Sequence, residues 1–249
     1  HYFAGYSGGA KAIMPGVSTR AAIQANHSYM VKPAACAGVL EGNPLREDLE
    51  DALNCCPVDF IVNAVLDEHK KIVHCVCGDV IAAHRAGCRL LDRYYRKDIR
   101  QKADIVLVSQ GGHPKDLNLY QTQKALENGK YAVKENGIII LVGSCREGMG
   151  ERVFEEWMLG ADRPSDLIKR IETDFQLGGH KAAAIAMVLE HAKVFLVSHM
   201  EEEFVRNIFM TPFSSVQEAV DQAFKELGAE ASVLVMPFGG STLPVVGDT

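Results

Sequence analysis

The sequence lacks the long apolar runs and the basic excess that define two large classes of protein. No apolar run reaches the ~18 residues that a membrane span requires, and runs such as 138–142 are only strand-sized. With 26 basic and 32 acidic residues the net charge is −6, whereas binding to nucleic acid needs a basic surface. We therefore expect neither a membrane segment nor a nucleic-acid partner.

Two nucleotide-binding fingerprints are missing as well. Neither GxxxxGK followed by Ser or Thr nor GxGxxG occurs, although the chain contains 22 glycines. The composition is otherwise ordinary, with 47% hydrophobic and 23% charged residues among 249. Such values are typical of a soluble globular protein, and the length suits one large domain or two smaller ones.

The cysteines give an indication of the compartment. There are seven, an odd number, so they cannot all pair within the chain. Most lie in apolar stretches, such as Cys75 and Cys77 in a strand-like run and Cys88 in a helix-like one. We expect reduced, buried thiols in a cytoplasmic protein.

The order of apolar runs predicts an α/β fold. Two strand-like runs at 60–66 and 71–77 are separated by only four residues, which indicates an antiparallel hairpin. Residues 1–17 are expected to form a glycine-rich loop, with helix caps at Ser18 and at Asn43, which precedes Pro44. A further helix is expected from about 79 to 95. From residue 103 onward, short apolar strands alternate with helices, the pattern of a parallel sheet covered on both faces.

A boundary between two domains is expected near residue 98, after a basic run. Gly228 and the change of pattern beyond it are typical of a hinge, so we expect the last strand to return to the first domain. The predicted domains are 1–98 plus 229–249 and 99–228.

Three residues near the beginning of the chain form a first candidate group, His1, Lys11 and His27. Taken singly, a histidine is more often structural than a ligand, and a lysine is usually solvated. However, Lys11 follows a glycine-rich stretch at 5–9, which lets the backbone approach a bound group closely.

A second group follows the glycines at 111–112, where a predicted strand ends and a helix begins. Ligands of open α/β sheets bind at such ends. Tyr120 and Lys124 are four residues apart, and Gln121 and Lys124 are three apart, so they share a helix face. The ammonium and the amide suit a small carboxylate. The alternative is an ordinary exposed helix face.

Three further motifs carry less information. Gly178-Gly179-His180 opens a helix, and Gly239-Gly240-Ser241 ends the last strand, so both could line a cleft or be purely structural. The residues 74–77 resemble a metal-binding fragment, but they alternate across a strand and no second cluster has zinc spacing, which favours a structural role.

Four segments in the same order resemble the nickel-dependent lactate racemase family over essentially the whole chain. They are HYFAGYSGGAK at 1–11 with Asn26-His27, GGHPKDLNLYQTQKAL at 111–126, LGGHKA at 177–182 and LVMPFGGSTLPV at 234–245. The resemblance implies two α/β domains with mostly parallel sheets and a cleft between them, the last strand rejoining the first domain.

The resemblance also implies a cofactor, the nickel pincer nucleotide, a pyridinium-derived mononucleotide with two sulfur-containing arms. Lys11 matches the residue that tethers it covalently, His27 matches the imidazole ligand of nickel, and His1 matches one of two catalytic histidines. Nickel accepts imidazole and sulfur ligands well. Separate biosynthetic enzymes would have to supply this cofactor.

For the substrate, the resemblance implies a small 2-hydroxy acid such as lactate, contacted by Tyr120, Gln121 and Lys124. One histidine would take the hydroxyl proton while the C2 hydrogen leaves as hydride, and hydride would return to the opposite face of the planar 2-keto acid. The protein would thus be an isomerase, a racemase or epimerase.

The first residues read as the middle of a protein, without the charged and apolar regions of a signal peptide. The resemblance places the second catalytic histidine and a phosphate-gripping segment before His1. We therefore expect an incomplete first domain and a polypeptide that is inactive alone. Two other hypotheses remain: a non-catalytic nucleotide or organic-anion binding module, and a structural fragment without cofactor.

Overall fold

The computed structural model describes residues 2–67 and 71–247. Contacts between Cα atoms divide the chain into two compact units, residues 1–96 and 97–249. This division lies close to the boundary expected near residue 98. We refer to the two parts as the first unit and the second unit and describe each by itself.

The first unit contains a hairpin and three α-helices within its described residues. They are α1 (Arg20–Ser28), α2 (Pro44–Asp51), β1 (Ile61–Leu66), β2 (Ile72–Gly78) and α3 (Val80–Tyr95). Short 3₁₀ turns lie at Tyr2–Ala4, Gly9–Ala12, Tyr29–Val31 and Ala52–Asn54. The stretch expected to be a glycine-rich loop therefore contains two of these turns.

Local capping determines where these helices begin. The Asn43 side chain caps α2 ahead of Pro44, as predicted, and Asp79 caps α3. Thr19 caps α1, so the expected cap at Ser18 is wrong by one residue. The Ser18 hydroxyl instead donates to the Ile13 carbonyl, 2.8 Å away, which removes it from the helix end.

Strands β1 and β2 pair antiparallel, which confirms the predicted hairpin. Helix α3 packs against this hairpin, and its Gly87 approaches Val76. Within the first unit the other face is exposed, and Val62 and Ile72 are 67% and 69% accessible. Residues 68–70 of the connection lie outside the described residues.

The cysteines differ from the expectation of buried thiols. Cys88 and Cys145 are buried, and burial raises the pKa of each thiol to about 11. Cys75 and Cys77 are exposed. Alternate residues of a strand point to the same face, and these two lie on the face of the hairpin away from α3. None of the seven cysteines, which all lie within the described residues, forms a disulfide.

The second unit alternates strands and helices. Its elements are β3 (Arg96–Ile99), which begins at the last residue of the first unit, β4 (Ala103–Ser109), α4 (Leu119–Gly129), β5 (Val133–Val142), α5 (Arg152–Leu159), α6 (Pro164–Thr173), α7 (Gly179–Leu189), β6 (Lys193–Val197), α8 (Glu202–Asn207), β7 (Thr211–Phe213), α9 (Val216–Leu227), β8 (Val233–Met236) and β9 (Leu243–Val246). Among the described residues, no helix combines the length and apolarity needed to cross a bilayer.

Five strands of this unit form a parallel sheet in the order β7-β6-β5-β4-β8. Helix α9 packs on one face, over a core that includes Ile105, Ile140 and Phe195. Helix α4 covers the other face, where Gly129 contacts Val108, and α7 packs beside α4. The central strands are therefore buried on both sides, as the continuous apolar runs predicted.

The last part of the chain does not return to the first unit. Strand β8 pairs in parallel with β4, and Met236 lies opposite Val108. Gly228, expected to be a hinge, has φ 95° and ends α9 as its C-cap. This differs from the expected place of 229–249 in the first domain, because the glycine serves a helix end and the strand that follows joins the parallel sheet of the second unit.

One carboxylate connects three segments of this sheet. Asp104 at the start of β4 accepts hydrogen bonds from the Ser232 hydroxyl and amide and from Lys134 Nζ, the last at 2.9 Å. The Ser232 hydroxyl, followed by Lys134, holds the pKa of Asp104 well below its usual range. The charged form is thus stabilised in the folded state.

Replacement of the Asp104 carboxylate should make the free energy of unfolding less dependent on pH in the acid range. Asp104→Asn should lower the free energy of unfolding at neutral pH. The difference from wild type should shrink as the pH falls below about 4, since the unfolded carboxyl takes up a proton there before the folded one does. Urea unfolding at a series of pH values measures this, with exposed Asp162→Asn as control. A difference that stays constant with pH would contradict it.

Candidate active site

A short segment of the first unit carries Lys11. Residues 3–9, which we call the glycine-rich segment, lead into the 3₁₀ turn that contains this lysine. Gly8 and Gly9 have positive φ angles of 76° and 62°. A Cβ on Gly8 would lie 2.7 Å from Asn63 Oδ1, and one on Gly9 would lie 2.7 Å from the His84 ring. Only glycine therefore allows this path of the backbone.

Side chains from α2, β1 and α3 hold the glycine-rich segment through its backbone. The bonds are Asn43 Nδ2 to Phe3 O (2.8 Å), Arg46 Nε to Ala4 O (2.9 Å), Arg46 to Tyr6 O, His84 Nε2 to Ser7 O (2.8 Å) and Gly9 N to Asn63 Oδ1 (3.0 Å). Arg46 is completely buried. Because every second or third backbone group is bound, Lys11 extends from a fixed support.

The second member of the group, His27, lies near the end of α1 and is only 5% exposed. Burial, and next the charge of Lys11, lower its pKa to about 4, so its imidazole is neutral at physiological pH. Its Nδ1 lies 3.1 Å from Asn26 Oδ1, while Asn26 Nδ2 donates to Leu45 O. Nδ1 therefore donates, which leaves the lone pair on Nε2, the form in which imidazole binds a metal.

These residues fit a cofactor that brings most of its own metal ligands. Within residues 2–67 and 71–247, no three His, Cys, Asp or Glu side chains lie close enough to hold a metal ion. A neutral, oriented imidazole and a nearby amine can supply one ligand and one point of attachment. Such a pair suits a pre-assembled metal complex better than a bare ion.

Two other sequence candidates in this unit have different outcomes. His1 lies outside the described residues, so its assignment stays a prediction. The 74–77 fragment forms part of β2, where a ring nitrogen of His74 lies 3.1 Å from the Tyr94 hydroxyl. Cys75 and Cys77 point to the opposite face of the strand, so this fragment does not bring its imidazole and thiols together.

In the second unit, α4 begins where β4 and its glycine turn end, and Asn118 caps it. Lys124 Nζ donates to Gln121 Oε1 at 2.6 Å, so the structure brings these two predicted residues together. Burial lowers the pKa of Lys124, and no carboxylate of the described residues lies within 4.0 Å of it. A half-buried ammonium held by a neutral amide is suited to a carboxylate ligand.

Tyr120 lies one turn before Lys124 and packs edge-on against Phe154, with ring centroids 5.9 Å apart. Burial, and next the charge of Glu151, raise its pKa, so the phenol keeps its proton and can donate. The three predicted substrate residues therefore project from the first two turns of one helix.

The LGGHKA segment contains Lys181, which was not among the residues predicted from the sequence to form the site. This lysine is only 8% exposed, its Nζ donates to Gln123 Oε1 at 3.0 Å, and it lies 5.4 Å from the centre of the Tyr120 ring. A lysine in a helix that is otherwise almost wholly apolar was the available signal.

The other glycine motifs have structural contacts in this unit. His180 Nδ1 accepts from the Gly178 amide at 3.2 Å, and its ring stacks on Phe175. The Gly239 carbonyl accepts from Asn128 Nδ2 at 2.7 Å, which ties the turn after β8 to the end of α4. Both motifs thus support the helices beside the candidate substrate residues.

Comparisons of this chain with family models and with known proteins all point to the same family. The model of the lactate racemase C-terminal domain matches residues 99–243, and that of the lactate racemase N-terminal domain matches residues 1–38. A lactate racemase of Thermoanaerobacterium thermosaccharolyticum is 34% identical over 98% of this chain, and one of Lactiplantibacillus plantarum is 32% identical over 96%. The chain spans 58% of the length of each.

Solved structures agree with this result. The lactate racemase apoprotein of T. thermosaccharolyticum superposes with a TM-score of 0.92 at 34% identity, covering 98% of this chain and 60% of that one. A protein from Thermotoga maritima has a TM-score of 0.73 at 17% identity over 99% of this chain and 64% of that one, which shows the fold alone.

Loss of Arg46 should release the glycine-rich segment. Arg46→Met leaves the Ala4 and Tyr6 carbonyls without their donors, which should lower the free energy of unfolding of the first unit by about 2–4 kcal/mol. Amide hydrogen exchange of residues 3–9 should become faster, as mass spectrometry can measure. Exposed Arg20→Met is the control. Unchanged exchange in Arg46→Met would show that the segment does not depend on this side chain.

Proposed function

Because the chain belongs to the lactate racemase family, we propose that the protein is an isomerase, a racemase or epimerase of a 2-hydroxy acid, with lactate as the first candidate. The observation that carries the proposal is the combination of Lys11 on a fixed segment with a buried, neutral His27, whose pKa is lowered by burial and next by the charge of Lys11. An amine and an oriented imidazole are what a tethered metal cofactor needs from the protein.

We assign the nickel pincer nucleotide to the first unit. The Lys11 amine would be its covalent tether, and the Nε2 lone pair of His27 would be the protein ligand to nickel. Asn26 keeps that imidazole in the required tautomer. The chemistry that this cofactor supplies when bound is acceptance and return of the C2 hydrogen of the substrate as hydride.

The second unit would bind the substrate carboxylate. Lys124 provides the charge, Gln121 provides amide donors beside it, and the protonated Tyr120 hydroxyl provides a further donor. A carboxylate held at two points restricts the rotation of the substrate while C2 changes from tetrahedral to planar. Such positioning contributes several kcal/mol to catalysis in many enzymes.

His1 would move the proton. As one of two catalytic histidines, His1 would take the proton of the substrate hydroxyl on one face, since an imidazole exchanges protons near neutral pH. The second histidine that the resemblance implies would supply the proton after hydride returns to the opposite face, and the two exchange roles in the reverse reaction. The product of the first half of the reaction is a planar 2-keto acid, which accepts hydrogen on either face. Loading depends on partner enzymes that build the cofactor.

The tether makes a prediction about mass. Protein made together with the cofactor-producing enzymes should be heavier than its polypeptide, because Lys11 forms a covalent bond. Lys11→Ala should lose the added mass, while exposed Lys32→Ala should keep it. Intact-mass spectrometry measures both. Added mass that persists in Lys11→Ala would overturn the assignment of the tether.

The proposed role of Lys124 in binding the substrate carboxylate can be tested by affinity. Lys124→Met should weaken binding of L-lactate by at least about tenfold, since it removes a charged hydrogen-bond donor. Titration followed by NMR of the α4 amides measures this, with exposed Lys169→Met as control. Equal affinity in Lys124→Met would contradict the assignment.

The organic-anion binding alternative predicts a different pattern. Loaded protein would then bind both enantiomers of lactate without interconverting them, and His27→Ala would change nothing. A panel of chiral 2-hydroxy acids separates the two functions when it is assayed with cofactor-loaded wild type and His27→Ala, each extended by the segment that the resemblance places before His1. Racemisation that depends on His27 supports the isomerase.

A further inference from the structure

Lys181 is a buried cation in an unfavourable place. It occupies the first turn of α7, at the positive end of the helix dipole, and its neighbours in that helix are mainly alanine and aliphatic residues. Burial of an ammonium group is costly unless polar partners replace water. The ammonium of Lys181 therefore depends on partners outside the apolar part of α7.

Its partners lie on the helix that carries the proposed substrate residues. Lys181 Nζ donates to Gln123 Oε1 at 3.0 Å and lies 5.4 Å from the centre of the Tyr120 ring, within the range of a cation–π interaction. Gln123 Nε2 in turn donates to the buried Glu127, which also accepts from Lys130. The positive charge is thus connected to a buried negative charge through α4.

Tyr120 is consequently held on two sides. Phe154 packs edge-on against its ring, and the ammonium of Lys181 lies near the same ring. The ring can turn or tilt only by losing one of these contacts. Lys124, one turn further along α4, presents its own ammonium beside Gln121.

We propose that Lys181 is a positioning residue for the substrate carboxylate, acting through Tyr120 and adding a positive charge beside the ring of that tyrosine. The proposal rests on the proposed function, because it takes α4 to be the face that binds a 2-hydroxy acid. Lys181 itself does not contact the substrate. Its effect is on the orientation of the Tyr120 hydroxyl and on the electrostatic attraction of an anion.

The test is an NMR titration of the protein with L-lactate. The Lys181 side-chain resonances and the Tyr120 ring resonances should shift together as the α4 amides saturate. Lys181→Met should raise the dissociation constant by about threefold or more and alter the Tyr120 ring resonances, and Lys181→Arg should restore most of the affinity. Exposed Lys225→Met is the control.

The outcomes are distinguishable. If lactate shifts the α4 amides but leaves the Lys181 and Tyr120 resonances of the wild-type protein unmoved, the proposal is overturned without reference to any variant. The same holds if a folded Lys181→Met binds as tightly as wild type. If lactate perturbs no α4 resonance at all, the proposed binding of the substrate carboxylate by α4 is contradicted, and the role of Lys181 is contradicted with it.

Discussion

The fixed path of the glycine-rich segment is the constraint on which the candidate cofactor residues of the first unit depend. Backbone groups of residues 3–9 bind side chains from α2, β1 and α3, and completely buried Arg46 holds two of the carbonyls. Glycines permit the path, since side chains at positions 8 and 9 would collide with Asn63 and His84. Lys11 therefore has little freedom at its backbone, and this suits a covalent attachment point.

The candidate substrate residues of the second unit follow from a different constraint, the packing of a parallel sheet. Strand β4 is buried on both faces, so it offers no side chains to a ligand along its length. Polar side chains become accessible after its carboxyl end, in the segment that leads to α4. The first turns of α4 then expose Tyr120, Gln121 and Lys124 to one side, while Gln123 and Glu127 remain inside the unit. The charged groups of α4 thus divide between the side proposed to bind the substrate carboxylate and the interior of the unit, where Glu127 accepts hydrogen bonds from Gln123 and Lys130.

Local signals in the sequence predicted much of this arrangement. Asn43 before Pro44 and the short connection between the hairpin strands depend only on near neighbours, and the structure confirms both. The sequence could not show to which domain residues 229–249 belong, because a glycine at a helix end and a glycine at a hinge look alike in sequence. Lys181 escaped notice because its partners lie 58 or more residues away in the chain.

The central claim is that His27 supplies the protein ligand to a nickel centre tethered through Lys11. X-ray absorption spectroscopy at the nickel edge, on protein loaded with cofactor, tests it most directly. The account predicts one imidazole nitrogen together with sulfur donors in the wild-type spectrum, and loss of that nitrogen in His27→Ala. An identical nickel environment in the two proteins would contradict it.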